Sequence, residues 1–356
     1  MGMIAALGNN VEMNCAAARA GIVRSQILPN FKGRSAVDGK EEPIIAHVAS
    51  LYTRGFEDDV RLVRLAGGAL VDLLAHTTPI DWQSCRTKFY LSLPDVDRTT
   101  ERAAAARHDA ATRNLERAQR ILSQAASLAH WPAAVEVGFL GISGHAGGLE
   151  ALQGALEDLQ AGRIDTAVLL GVDSLVGERV LDWLQANQRL KCDGTPDGLQ
   201  PGEAGVAIAL SAEQVATERL GGPMTRVLGV HVGEEPRNLL AAVPARGETL
   251  SQVVSHAWLE TAAPVPWVIL DTNGEVHRAM DWGHALARLR ATADAFAAPI
   301  LWYPAISFGD TGAASALTSI CVAARAWGRR YAPGDSAIVA AVSDGQARAA
   351  VALRHP

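Results

Sequence analysis

Cysteine is scarce in this chain: Cys15, Cys85, Cys192 and Cys321 stand far apart, with no CxxC or Cys/His spacing. That argues against a disulfide framework or a structural zinc held by thiolates, and suits a reducing compartment in which all four are buried apolar thiols. Aromatic residues make up only 5%, too few for a wide aromatic ligand cage, while abundant alanine and glycine favour close helix packing. No stretch approaches the run of about 18 apolar residues that a membrane span needs, and Met1 to Asn10 lacks a basic region followed by a long apolar one. A cytoplasmic protein without a membrane partner is therefore expected. A Lys/Arg block is also missing: 38 acidic residues against 32 basic give a net charge of -6, which argues against nucleic acid. What the 356 residues do offer is a 49% hydrophobic content, enough for a large core.

An internal repeat organises the chain. Gly144-His145-Ala146-Gly147-Gly148 is followed by a helix-period stretch from Leu149 to Leu159 and an apolar run from Asp165 to Val172. Gly309-Asp310-Thr311-Gly312-Ala313 is likewise followed by a helical stretch, Ala314 to Trp327, and an apolar run, Asp335 to Val342. In the first copy Leu149, Leu152, Leu156 and Leu159 mark one helix face. Apolar segments, Val137 to Ile142 and Ile300 to Ile306, precede the two turns, so strand, turn, helix and strand imply parallel βαβ units. Two half-domains follow, residues 1–215 and 216–356, the first closing with the strand Val206 to Leu210 and the second opening near Thr225 after the Gly221-Gly222-Pro223 break. Thr99 to Ala129, charged and alanine-rich, including Glu101-Arg102, reads as a surface or cap helix of the first half. Phe31 to Gly55 reads as an irregular excursion.

At these turns the sequence resembles the thiolase-like superfamily, most closely the β-ketoacyl synthases. The resemblance implies an α/β thiolase-like fold of duplicated βαβαβαββ halves in a five-layered αβαβα arrangement. Leu7-Gly8-Asn9-Asn10 with Ala20-Gly21 is similar to the family's opening segment, and Gly162-Arg163-Ile164-Asp165 through Gly171-Val172-Asp173-Ser174 to its signature strand. Pro201-Gly202-Glu203-Ala204-Gly205 resembles its Gly-Glu-Gly-Ala-Gly segment, in which Glu203 would cap or brace the turn. Gly309 to Ser315 resembles its Gly-His-Thr-Gly-Ala-Ala motif. Ser343 to Arg348, with Gly345, matches the last family turn only in outline. The chain opens at what would be the end of the family's first core strand, which leaves that sheet edge short or its start trimmed.

The departures bear on function, since fold and chemistry are separable. Where condensing enzymes carry a Cys at the strand-to-helix elbow, ready for acyl transfer, the alignment places His145. The two assisting histidines map onto Asp271 and Asp310, and the lysine before the second motif onto Ala305. A carboxylate in either place would repel a malonyl carboxylate and could not donate to an enolate unless protonated. Decarboxylative condensation is thus not expected, nor any cofactor. Three readings of a His145, Asp271 and Asp310 cluster compete. The leading one is a raised-pKa imidazole between carboxylates plugging an obsolete cleft. The others are an open facial set for a divalent ion, and an altered acyl-transfer enzyme with His145 as base and Ser143 or a water as nucleophile. His277 and His284, seven apart, read as surface residues; Trp258, Trp267 and Trp302 read as core or interface.

The reading that follows is a thiolase-fold pseudoenzyme that works by binding protein. Family members are dimers, and the strand before the elbow, Val137 to Ile142, pairs with its two-fold mate, so a homodimer or a heterodimer with another thiolase-like chain is implied. Asp271-Thr272-Asn273-Gly274-Glu275 and the Asp-for-His change are similar to thiolase-like accessory proteins of type VI secretion effector loci. A chaperone or adaptor binding an effector or adaptor protein is therefore favoured over the non-catalytic subunit of a ketosynthase heterodimer, whose role is to shape the active partner's tunnel.

Overall fold

The computed structural model describes residues 1–35, 38–77, 80–99, 107–213, 215 and 225–356. From the N-terminus the chain forms β1 (Gly2–Ala5), α1 (Val11–Arg19), β2 (Gln26–Arg34), β3 (Glu41–Ala46), α2 (Ser50–Thr53), α3 (Asp58–Ala75), β4 (Thr87–Ser92), α4 (Arg107–Leu128), β5 (Val137–Gly141), α5 (Gly147–Gln160), β6 (Thr166–Ser174), α6 (Glu178–Ala186) and β7 (Glu203–Ser211). It continues with β8 (Arg226–Glu234), α7 (Glu248–Thr261), β9 (Trp267–Leu270), α8 (Val276–Thr292), β10 (Ile300–Trp302), α9 (Ala305–Phe308), α10 (Ser315–Gly328), β11 (Ser336–Val342) and β12 (Ala347–Arg354).

Two five-stranded sheets carry the duplication. The first runs β1-β7-β6-β4-β5 and the second β8-β12-β11-β9-β10. Both therefore have the order first-fifth-fourth-second-third, with antiparallel pairing among the first, fifth and fourth strands and parallel pairing of the second with the fourth and third. In each half the third strand leads through a glycine-rich turn into a helix, α5 or α10, that packs between the sheets. Leu149, Leu152 and Ala155 of α5 share one buried cluster with Leu317, Ile320 and Ala323 of α10 and with strands of both sheets. The outer face of the first sheet is covered by α3 and α4 through Leu65, Leu70, Ile121 and Leu122; that of the second by α7 and α8 through Val254, Ala257, Ala285 and Leu289. This is the αβαβα layering of a thiolase-like fold. The central strand β6 is buried at every position, which is why it reads as an unbroken apolar run rather than an alternating one.

Several expectations shift. The segment Ile300 to Ile306 is strand only as far as Trp302; Pro304, with φ −56°, supplies the first-turn backbone that starts α9 instead. Phe31 to Gly55 is not irregular throughout, because β2 and β3 pair antiparallel and α2 follows. Helix α4 is an outer-layer helix with one buried face, Ala118, Ile121, Leu122 and Ala125, while Glu101-Arg102 lies outside the described residues. The break Gly221-Gly222-Pro223 also lies outside them, within residues 216–224; the sheets change over between Ser211 and Arg226. The short β1 is present as the first sheet's edge, pairing with Ala204 to Ala207. Among the described residues no helix is long and apolar enough to cross a membrane.

Candidate functional site

The parallel strands β4, β6, β9 and β11 end on the side where an α/β sheet places its ligand crevice, and the two glycine-rich turns and the loops after β9 and β11 meet there. Gly144, at φ +84°, turns the chain out of β5 and presents His145 before the first turn of α5. Asp271 directly follows β9, Asp310 follows α9, and Asp344 lies in the β11–β12 turn. Close backbone approach holds the halves together here: a Cβ on Gly202 would sit 2.3 Å from the Phe308 carbonyl, and one on Gly312, at φ +50°, would sit 2.1 Å from Asp173.

His145, Asp271 and Asp310 are all buried, but they do not form one direct triad. His145 Nε2 lies 2.7 Å from Asp310 Oδ1, whereas its Nδ1 lies 3.0 Å from Arg278 Nη2. Asp271 is reached only through Arg278, whose Nη1 donates to Asp271 Oδ2 at 3.2 Å; the same oxygen accepts from the Val342 amide at 2.8 Å. The imidazole thus sits between a carboxylate and a guanidinium, rather than between two carboxylates. A buried pair of acids needs a cation, and the first turn of α8 supplies it.

Arg278 is 1% exposed and also bonds Asp344 Oδ1 at 2.9 Å and the Val342 carbonyl. A second buried guanidinium, Arg189, clasps Glu275 at 2.6 and 2.9 Å and Asp344 at 2.8 Å. Asn273 Nδ2 donates to Asp310 Oδ2 at 2.5 Å and to Glu275 Oε2 at 2.8 Å. Burial alone would raise Asp310, yet His145, Arg278 and the Gly312 amide together hold it well below the usual carboxylate range. Burial opposes ionisation of Asp344 too, and Arg189, His277 and Arg278 hold it well below that range. For His145, burial and Arg278 press towards the neutral ring while Asp310 and Asp271 press the other way, with an upward balance of charge. A protonated Nδ1 would nevertheless face Arg278 Nη2 donor to donor. The 3.0 Å contact needs a lone pair, so it belongs to the neutral ring with its proton on Nε2, donated to Asp310.

The neighbouring donors and hydroxyls are also engaged. The amide of Ala146, the first donor after the elbow, is taken by Ser343 Oγ at 3.0 Å. Ser143 Oγ donates to Glu150 at 2.7 Å, so no nucleophile–base bond joins it to His145. Ala305 begins the short helix α9 and, with Asp271, Asp310 and Thr311, lines a cavity of only ≈ 10 Å³, about one water's room. A divalent ion has no place in the His145, Asp271 and Asp310 set, since the guanidinium of Arg278 already stands among them. Glu275, His277 and Asp344 bring ligand atoms within 4.8 Å of one another, but two guanidinium groups already bond Asp344 and one of them clasps Glu275.

The remaining singled-out residues are structural. Fully buried Glu203 accepts from Arg61 Nε at 2.6 Å, Thr53 Oγ1 at 2.7 Å, Ser174 Oγ at 2.8 Å and the Ala49 amide at 2.9 Å, joining β7 to α2 and α3. Gly309 has φ +69°, and the carbonyl of Gly345 accepts from buried Arg348. His284 accompanies the loop carbonyl of Ala245, while His277 faces Asp344 at 3.8 Å with its Nε2 buried, so it borders the network instead of lying free on the surface. Cys15, Cys85 and Cys321 are buried; burial pushes the Cys321 thiol up to about 12, and that of Cys15 higher still. Cys192 departs from the expectation that all four thiols are buried: it is only partly buried, in a turn paired with Thr195. Trp267 packs edge-on against Trp302 and Trp327, and Trp258 against Phe296. Sequence reasoning missed Arg278, Arg189 and Asn273; the one signal was that two buried acids must find a cation nearby.

No protein-family model and no curated protein matches this sequence. Solved structures do. The chain is similar to the ketosynthase from module 6 of the bacillaene synthase from Bacillus subtilis 168, at 11% identity and TM-score 0.74, covering 100% of this chain and 71% of that one. It is similar to the ishigamide ketosynthase/chain length factor, at 20% identity and TM-score 0.67, covering 99% and 97%. A type II PKS ketosynthase in complex with its acyl-carrier protein matches at 13% identity and TM-score 0.69, again covering 99% and 97%. At these identities the likeness establishes the thiolase-like ketosynthase fold.

Proposed function

We propose that this chain is a non-catalytic thiolase-fold subunit that acts by pairing with another thiolase-like chain. The observation that carries the reading is Arg278: its side chain occupies the cleft between His145, Asp271 and Asp344, where a thioester would have to enter. A site whose acids are already bonded by two guanidinium groups, with its elbow amide already taken, offers neither a nucleophile nor free oxyanion donors. The pairing surface is β5. It is the outermost strand of the first sheet, and Phe139 is 36% exposed on it. Such an edge invites strand addition and is a liability unless it is covered.

The ketosynthase/chain length factor likeness supports a ketosynthase-type partner, in the cytoplasm, ahead of an effector or adaptor of a secretion locus, for which no residue contact argues. The test combines affinity purification from the native host with intact-mass analysis. Recovery of a thiolase-like chain, whether a second copy or a Cys-bearing synthase, together with no acyl adduct on wild type or on His145→Cys after incubation with acyl thioesters, is the expected result. Recovery of a secretion effector instead would replace this reading with the adaptor one. Thioester turnover that His145→Ala abolishes would replace both with an enzyme.

A further inference from the structure

Helix α5 carries three acids, Glu150, Glu157 and Asp158, and no lysine, arginine or histidine. Its inner face is spent on the core through Leu149, Leu152 and Ala155. Its outer face lies beside the open edge of the first sheet: a Cβ on Gly154 would stand 3.4 Å from Phe139 Cγ. Residues three and four positions from Gly154 share that face, which places the three acids along the border of β5. Glu157 is exposed there and Glu150 half-buried. The charges along this border are unevenly answered. Arg163 pairs with Asp158 at 2.5 Å, and Lys88 pairs with Glu136, the residue before β5, at 2.7 Å. Glu150 accepts only from the neutral hydroxyl of Ser143, and the Glu157 carboxylate has no hydrogen bond or ion pair among the described residues. Burial holds Glu150 above the usual carboxylate range; Ser143 opposes the shift, and Glu234 at the end of β8 adds to it.

We infer, on the reading that β5 is the pairing edge, that the preferred partner is a different thiolase-like chain, one that presents lysine or arginine opposite Glu150 and Glu157, and that self-pairing is the weaker association. Antiparallel addition of a strand at β5 continues the sheet at a spacing of about 4.8 Å. A two-fold axis normal to that sheet keeps both α5 helices on one face, side by side at about two to three strand spacings. An identical chain then sets the acids of one α5 against the acids of the other, because a two-fold interface opposes a patch to itself. Like charges so placed work against the pair, whereas a basic helix in the same position satisfies both carboxylates. Asp158 and Glu136 do not need such a partner, since each already has its own cation.

Native mass spectrometry of the full-length chain tests this, with one of two mixed proteins isotope-labelled so that the mixed pair is resolved. Wild type with Glu157→Lys should form the mixed pair at least fivefold above the statistical share. Wild type with Asp182→Lys, the same change of charge on an exposed position of α6, should give the statistical share. Self-association of the wild type, followed by sedimentation, should tighten between 0.1 and 1 M NaCl, where the Debye length falls from about 10 to about 3 Å. A statistical mixture with Glu157→Lys, or equal enrichment with Asp182→Lys, would overturn the inference; the pairing reading would survive if Phe139→Glu still weakened every pair. Phe139→Glu without effect on any pair would overturn the pairing reading and this inference with it.

Discussion

Arg278 decides the character of the cleft. It is 1% exposed, bonds Asp271 and Asp344, and donates to an imidazole that must therefore be neutral. Replacing it by Met keeps the volume and removes the charge, leaving Asp271 buried without its guanidinium while Asp344 keeps Arg189. Breaking a buried pair in this way costs about 3–5 kcal/mol. With an unfolding entropy of about 2.1 cal/mol/K per residue, the melting temperature of this 356-residue chain should fall by about 4–7 °C, as calorimetry would record. The same substitution withdraws the positive charge that faces His145 Nδ1, so the ring should take up a proton and pair with Asp310 as an imidazolium. Nitrogen NMR of the wild type should show a neutral Nε2–H ring at pH 7 and that of Arg278→Met a doubly protonated one. The residue responsible was not legible beforehand. His145, Asp271 and Asp310 could be singled out because they interrupt motifs, whereas Arg278 lies in the first turn of an ordinary amphipathic helix and is identified only once folding has brought β9, β11 and α5 to one point.

At the scale of elements, the repeated turn–helix–strand units could be read directly because both halves use the same strand order and bury the same helix between sheets. Their periodicity is strong: Leu149 and Leu152 on α5 are both buried. What could not be read was local. Pro304 ends a strand that apolarity alone would have continued to Ile306, and the β2–β3 hairpin carries exposed apolar residues, Ile27 and Ile45, that break the expected alternation. β5 poses the opposite case, since its sequence is that of a core strand while one of its edges is open. Phe139→Glu puts a charge at the proposed pairing edge on a side chain that is already 36% exposed. Sedimentation equilibrium should show the dimer dissociation constant rising at least tenfold, with the far-ultraviolet dichroism of the chain unaltered. An unchanged constant would move the pairing surface elsewhere.

Across the whole molecule, the charge network is a clamp between sheets: His145 comes from the end of β5, Asp271 and Arg278 flank the end of β9, Asp344 sits at the tip of β11–β12, and Arg189 reaches in from beyond α6. Asp310 and Asp344 both ionise more readily in the fold than at the free value of 3.8. A carboxylate of that kind stabilises the fold fully at pH above its unfolded pKa, and the contribution drains away as pH falls through the folded one. Burial shifts Asp72, Glu150 and Asp281 the other way, so these three favour the protonated fold and soften the loss. The clamp carboxylates are the ones bonded across the halves, and they set the acid limit. Urea midpoints should therefore be level from pH 7 to about 5 and drop below about pH 4. In Asp344→Asn, which lacks one of the two titrating groups, the curve should start lower and fall less steeply. A wild-type curve that stayed flat to pH 3 would mean that the two guanidinium groups hold the sheets together without their anions.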